Sequence, residues 1–229
     1  MKKIHCIILA RGGSKGLPRK NLADFCGKPL LQWTIDQALA ANNVSTVWVS
    51  SDNKEIIDLS SSLGAKTILR PDEFSNDIST SESAWLHAIN YIDQNVSEDI
   101  NFVLAPQCTS PIRESKDFDE AIKKYFDEKL DSLFSGSLAT DFNLWRYNTN
   151  KELFSHTYDY TRRGRRQEKP EQIVENGSFY IFKTELLKKE NNRLGGKIGV
   201  HIMEFWKSFQ IDELDDLEFC ENLMKNYLG

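Results

Sequence analysis

The sequence predicts an α/β fold built on a mostly parallel sheet with helices on both faces. Three observations carry this. Short apolar runs alternate with helix-period segments through the first 135 residues, which is the pattern of successive βαβ units. The first run, residues 4–9 (IHCIIL), is unbroken and rich in β-branched side chains, as a strand covered on both faces must be. A chain of 229 residues is also long enough to bury such a core within one domain.

The elements follow in order. After the first strand, Leu31, Ile35, Ala38 and Leu39 recur at helical spacing. Residues 46–50 (TVWVS) form a second strand, and Asp52 with Glu55 is placed to cap the next helix. Residues 66–69 are a short third strand. Ser79 and Glu82 have capping-box spacing ahead of a helix carrying Trp85, Ala88, Ile89 and Ile92. Residues 101–105 (NFVLA) are a fourth strand, and Phe118, Ala121, Ile122, Tyr125 and Phe126 make the clearest helical stripe. Residues 131–135 (DSLFS) and 178–182 (SFYIF) are the fifth and sixth strands, and Cys220, Leu223, Met224 and Tyr227 mark a final helix. Between residues 136 and 176 the alternation stops. That stretch is polar, aromatic and strongly basic near 162–169, and is expected to leave the core as a lid or a dimerisation arm.

Composition narrows the function. A formal net charge of −5 gives no general field for nucleic acid or anionic membrane, so basic clusters must be read as local sites. The opening MKKIHCIILA resembles a signal peptide, but its apolar run ends at Arg11 without a small-residue cleavage site. No stretch approaches the roughly 18 apolar residues of a membrane span. The cysteines at 6, 26, 108 and 220 lack CxxC spacing, and the histidines lack HExxH. Reduced thiols in a cytoplasmic protein without structural zinc are expected.

The chemistry begins where the first strand ends. Arg11-Gly12-Gly13-Ser14-Lys15-Gly16-Leu17-Pro18-Arg19-Lys20-Asn21 would lie at the carboxyl end of a strand, where open α/β sheets bind ligands. Three glycines let backbone N–H groups approach phosphates, and four cations supply charge. The loop is neither GxxxxGK[ST] nor GxGxxG. Read without a ligand, it is a basic surface turn.

Residues 9–21, together with Arg70-Pro71, residues 79–81, Gln107-Cys108-Thr109-Ser110-Pro111, Arg166-Gln167, Asn176-Gly177-Ser178-Phe179-Tyr180 and Ile211-Asp212, resemble the acylneuraminate cytidylyltransferase family, the CMP-sialic acid synthetases. The segments stand in family order over nearly the whole chain. The resemblance implies a single three-layer, Rossmann-like nucleotidyltransferase domain over residues 1–229. It also implies a homodimer with shared active sites, its arm at about residues 138–175. By the same resemblance, Arg11, Gly12, Ser14, Lys15 and Asn21 hold the triphosphate and cytidine of CTP, and Arg70 and Ser81 line the cytidine pocket. A helix cap for Ser81 and a surface loop for Arg70 are the plain alternatives. Gln107, Thr109, Ser110, Arg166, Gln167 and Tyr180 fall to the sugar. The Gln107 amide can bond hydroxyls in both directions, and an amide rather than a metal-binding carboxylate there favours the sialic-acid branch over CMP-Kdo synthetases. Cys108 is expected to pack rather than react.

The basic run at residues 162–167 is a solvated cluster unless it meets an acid. Arginine's fork suits a carboxylate, and Arg166, ten residues before Asn176, matches the family's carboxylate-binding arginine. Asp212 can be an N-cap; the resemblance makes it a ligand for Mg²⁺ (or Mn²⁺), hard cations that favour oxygen. Gln210 stands where related chains often carry a second Asp, while Asp215 and Asp216 lie close by. Asp52 is left as a helix cap. The implied reaction joins CMP from CTP to an acidic nine-carbon sugar, foremost N-acetylneuraminic acid, releasing pyrophosphate, with Arg11, Lys15 and Asp212 as the catalytic group and no membrane or nucleic-acid partner. No general base is identified; a metal-activated hydroxyl or water is preferred. Legionaminic acid, another nonulosonate, Kdo, or a non-catalytic nucleotide-binding regulator are the other readings.

Overall fold

The computed structural model describes residues 3–14, 16–76, 78–96, 100–139, 142–162, 164–165, 167 and 171–228. Its centre is a seven-stranded sheet. Four strands run parallel in the order β6 (Phe102–Pro106), β1 (Ile4–Leu9), β4 (Val44–Ser51) and β5 (Lys66–Leu69). Beyond β6 lie β10 (Gln172–Lys183), antiparallel to both its neighbours, then β7 (Ser132–Ala139) and β11 (Ile198–Ile202), parallel to each other. The expected mostly parallel sheet is therefore present, with one reversed strand inserted. The chain steps from β1 to β4 and β5 on one side, then returns to the other side of β1 with β6. That reversal opens a crevice at the carboxyl ends of β1 and β6, where α/β sheets bind ligands.

Helices cover both faces. On one face α1 (Leu30–Ala40) and α4 (Ser115–Asp127) bury Leu31, Ile35, Phe118, Ala121 and Ile122 against Cys6, Ile8, Val47 and Leu104. On the other, α3 (Ser81–Asn95) and α5 (Thr184–Glu190) bury Trp85, Ile89 and Leu187 against Ile7, Val103 and Phe182. A third cluster of Phe25, Leu30, Ile112, Ile211, Cys220 and Met224 seats α6 (Leu214–Tyr227) beside the hairpin of β2 (Asp24–Phe25) and β3 (Lys28–Pro29). The excursion after β7 includes a second hairpin, β8 (Trp145–Tyr147) with β9 (Leu153–Ser155).

Three expected caps are displaced by one residue. Asn53, not Asp52, caps α2 (Lys54–Ser62), its side chain accepting from the N–H groups of Glu55 and Ile56. Thr80, not Ser79, caps α3 by accepting from Ser83 N–H. Glu213, not Asp212, caps α6 and closes a capping box with Asp216. In each case adjacent residues have cap-competent side chains, and only the backbone's exit from the preceding loop decides which one accepts. Among the described residues no helix is long and apolar enough to cross a membrane.

Candidate active site

The crevice holds a cleft with two lobes, of about 230 and 350 Å³, a size suited to small ligands. Leu9, Arg11 and Ser81 line both lobes and so form the waist between them. The first lobe is completed by Gly13, Ser14, Lys20, Asn21, Trp85, Gln107 and Thr109; the second by Arg70, Phe74, Ser75, Asn76, Ser79 and Thr80. Among the described residues none that lines either lobe is a histidine or a carboxylate. Such a lining suits an anionic ligand.

The loop after β1 is shaped by bonds to its backbone. The Asn21 amide donates to Arg11 O at 2.9 Å, and Gly12 N–H donates to Asp52 Oδ1 at 2.9 Å. Asp52 thus braces the loop instead of capping α2. Arg19 adopts a left-handed conformation and starts the single turn Lys20–Leu22. A Cβ at Gly16 would stand 2.4 Å from the Asp212 carbonyl oxygen, so this glycine lets the loop close onto the segment before α6. There Lys20 Nζ bonds Asp212 Oδ1 at 2.8 Å.

The second lobe concentrates positive charge. Arg70 is buried, its Nε donating to Ser75 Oγ at 3.0 Å. Burial lowers its pKa, Asp52 opposes that, and the nearby Arg11 adds to it. Two cations, Arg11 and Arg70, therefore line this lobe, with Asp52 close to Arg70. Phe74 lies against His87, ring centroids 5.0 Å apart, and burial followed by repulsion from Arg70 keeps that imidazole below its ordinary value. The first turn of α3 adds helix-terminal N–H groups at the waist.

Gln107 opens the turn after β6, its N–H donating to Ser178 O at 2.9 Å. Gly177, at φ +67°, passes so close to Gln210 that a Cβ would meet its Nε2 at 2.5 Å. That Nε2 donates to Asn176 O at 3.0 Å, so the position of a second carboxylate is instead used to fix the backbone before Ser178. Cys108 is nearly buried at the edge of the first lobe, and burial pushes its thiol up to about 11, away from the thiolate form that reacts.

Of the sequence-predicted residues, the cleft gathers Arg11, Ser14, Asn21, Arg70, Ser81, Gln107 and Thr109. Gly12 is not on the lining, its N–H turned to Asp52, and Ser110 is buried. Tyr180 is also buried, its hydroxyl donating to Glu175 Oε1, and it is not on the lining. Gln167 is exposed. Lys15 and Arg166 lie outside the described residues. Sequence reasoning missed Lys20 as the partner of Asp212, Trp85 as a cleft wall, and the buried Arg113. For Arg113 the sequence carried no clear signal: TSPIRE is followed by Asp117 four residues on, which suggests an ordinary surface ion pair rather than a buried cation.

Comparison with known proteins places this geometry. A family model described as Cytidylyltransferase matches residues 5–228. N-acylneuraminate cytidylyltransferase A of Danio rerio is 33% identical over 213 residues, covering 92% of this chain but 48% of that protein; the chain spans about half the length of that relative. A pseudaminic acid cytidylyltransferase of Campylobacter jejuni subsp. jejuni serotype O:23/36 (strain 81-176) is 29% identical, covering 96% of this chain and 95% of its own. The solved structure of CMP:2-keto-3-deoxy-manno-octonic acid synthetase complexed with CTP superposes with a TM-score of 0.74 at 18% identity, covering 98% and 99% of the two chains. At that identity the likeness is one of fold.

Proposed function

The chain belongs to the cytidylyltransferase family of nucleotidyltransferases, and on that footing we propose that it transfers CMP from CTP to an acidic nine-carbon sugar, foremost N-acetylneuraminic acid. The observation that carries this is the two-lobed cationic cleft at the β1/β6 crevice, divided at Arg11 and Ser81. The lobe with Arg70, Phe74 and Thr80 takes the cytidine. The lobe with Ser14, Lys20, Gln107 and Thr109 takes the phosphates and the sugar.

In the reaction the anomeric hydroxyl of the sugar attacks the α-phosphate, the bond to the β-phosphate breaks, and pyrophosphate leaves. Positioning and charge neutralisation do most of the work in such transfers. Arg11 and Lys20, with Lys15, bear on the charge that grows on the phosphates, and Arg166 takes the sugar carboxylate. Asp212 is the carboxylate left for a magnesium: Gln210 is an amide bonded to Asn176 O, and Asp216 is committed to the α6 cap. Asp212 would hold the ion together with nucleotide phosphate oxygens, where it would supply further neutralising charge.

A second sugar is favoured by a specific finding: the Campylobacter relative, matched over nearly its full length, is named for pseudaminic acid. Pyrophosphate release separates the readings. Each of CTP, ATP, GTP and UTP is paired with N-acetylneuraminic, pseudaminic, legionaminic and 3-deoxy-manno-octulosonic acids. We expect turnover with CTP and a nine-carbon acid; equal rates with ATP would overturn the cytidine assignment.

A further inference from the structure

Arg113 is among the most deeply buried side chains in the protein, 1% exposed. Among the described residues no carboxylate pairs with it. Its Nη1 donates to the carbonyl oxygens of Gln107 at 2.9 Å and Ser178 at 3.2 Å, and to that of Ser110. Its Nη2 donates to Thr34 Oγ1 on α1 at 2.7 Å, and the guanidinium lies 5.3 Å from the Phe118 ring centre. Burial pulls its pKa down to about 10, so the group stays charged at neutral pH. An unpaired charge inside a protein costs several kcal/mol unless dipoles replace its water. Here carbonyl oxygens do so.

The position of those carbonyls gives the arrangement its consequence. They belong to the turn after β6 and to the middle of β10, beside the lobe read as the sugar side. Gln107 O also accepts from Ser110 N–H at 3.3 Å, and Thr109 O accepts from Ile211 N–H at 2.7 Å, beside Asp212. Gln37 on α1 closes the underside, its Nε2 donating to the carbonyls of Pro111 at 2.9 Å and Arg113 at 2.7 Å. The guanidinium therefore ties Gln107, Ser110 and Ser178 to α1, and the Ile211 N–H fastens the segment before Asp212 to the same turn.

We propose that Arg113 is a positioning residue for sugar binding: by gathering the Gln107, Ser110 and Ser178 carbonyls it sets the turn that presents the Gln107 amide and the Thr109 hydroxyl to the cleft. This rests on the reading of that lobe as the sugar side. A guanidinium spanning carbonyls on one nitrogen and a hydroxyl on the other cannot be replaced fully by an ammonium. CTP, held mainly by the loop after β1 and by Arg70, does not depend on it.

The test compares Arg113→Met, Arg113→Lys and Thr34→Val with the wild type. Hydrogen exchange over residues 107–113 is read first, without substrate. It should quicken at least about tenfold in Arg113→Met, by less in Arg113→Lys and Thr34→Val, with the β1 and β4 amides unchanged. Steady-state kinetics should then show the sugar KM raised about tenfold or more in Arg113→Met and about threefold in Arg113→Lys, with CTP affinity within about twofold of wild type. Should Arg113→Met not fold, the other two variants decide. Folded variants with wild-type exchange at 107–113 overturn the proposal, as does a loss of CTP affinity equal to the loss of sugar affinity. A wild type inactive with CTP and every acidic sugar defeats the functional reading instead, and the exchange arm then decides the role of Arg113 alone.

Discussion

Asp212 shows how one side chain can be read two ways and then be resolved by its neighbour. Its spacing before the last helix suits an N-cap, but Glu213 fills that role and Asp212 turns outward to Lys20, its side chain 69% exposed. Removing an exposed group outside any cap changes stability by only about 0.5 kcal/mol or less, and an exposed ion pair adds little. Asp212→Ala should therefore leave the thermal midpoint nearly unchanged while turnover falls at least about tenfold, the loss expected when charge stabilisation at the phosphates is removed. Thermal unfolding run beside a rate measurement checks this. An active but markedly less stable variant would return Asp212 to a structural role. Lys20, half of this pair, was present in the loop sequence but could not be matched to an acid 192 residues away. Side chains that line a cleft are legible by type; their partners across the fold are not.

At the scale of elements the helices and parallel strands were legible because burial imposes a period. The α4 stripe and the apolar β1 run are direct consequences of facing a core. Legibility failed where a short element or a polar face erases that period. The first four residues of β10, 172–175, pair with β7 and alternate in exposure, so only its apolar end was recognised. The seven-residue α5 and the partly exposed β11 gave no pattern at all. The caps failed by one position, and that difference is measurable. Asn53→Ala should cost about 0.5–2 kcal/mol of stability, as loss of a cap does, with CTP affinity retained. Asp52→Ala should do the reverse, weakening CTP binding severalfold, because Asp52 braces Gly12 N–H and faces Arg70. Denaturant midpoints and CTP titrations on both variants decide; matching behaviour would mean that the two residues share one role. The excursion of residues 138–175 carries its own prediction. On its hairpin Tyr147 lies directly across from Leu153, and both are exposed, with Leu144 and Trp145 nearby. Exposed apolar side chains grouped in this way suit the dimerisation role expected of the arm. The protein should sediment as a dimer, and Tyr147→Asp with Leu153→Asp should shift it to monomer; a wild type that sediments as monomer removes the arm's assigned role.

For the whole molecule, alternation predicts a parallel sheet, but the direction of a single strand has no local signature. The reversal of β10 between β6 and β7 arises only from the long return through the excursion. The turn after β11 brings in a second buried cation. Lys207 is fully buried near Asp117, Glu114 and Glu204, at 3.0, 3.1 and 3.1 Å. Burial opposes its charge, yet these acids outweigh it and raise its pKa. The contribution of Lys207 is thus present below its unfolded value and lost only in strong alkali. His201, on β11 beside this cluster, behaves oppositely. Burial first, then Lys124 and Lys207, hold its pKa below the ordinary value against the attraction of Asp117 and Glu120. In the folded protein it stays neutral where the unfolded chain, titrating near about 6.5, has taken up a proton. The unfolded state then binds more protons, so stability must fall as pH drops below about 6.5. Glu114 and Glu204 extend the loss further into acid. For Glu114 burial raises the pKa, but bonds from Lys116 and Lys207 lower it more; for Glu204 a backbone bond and Lys207 prevail. Both give stability that is present above the unfolded carboxylate value and disappears as pH falls through the lower folded one. Urea midpoints measured from pH 7.5 to 4 should decline in two stages, the first due to His201 and to His87, whose pKa burial and Arg70 also lower. His201→Gln, which keeps a polar side chain but cannot titrate, should make the decline below about pH 6.5 shallower and leave the later stage. If its midpoints fall in parallel with the wild type over that interval, another group carries the first stage.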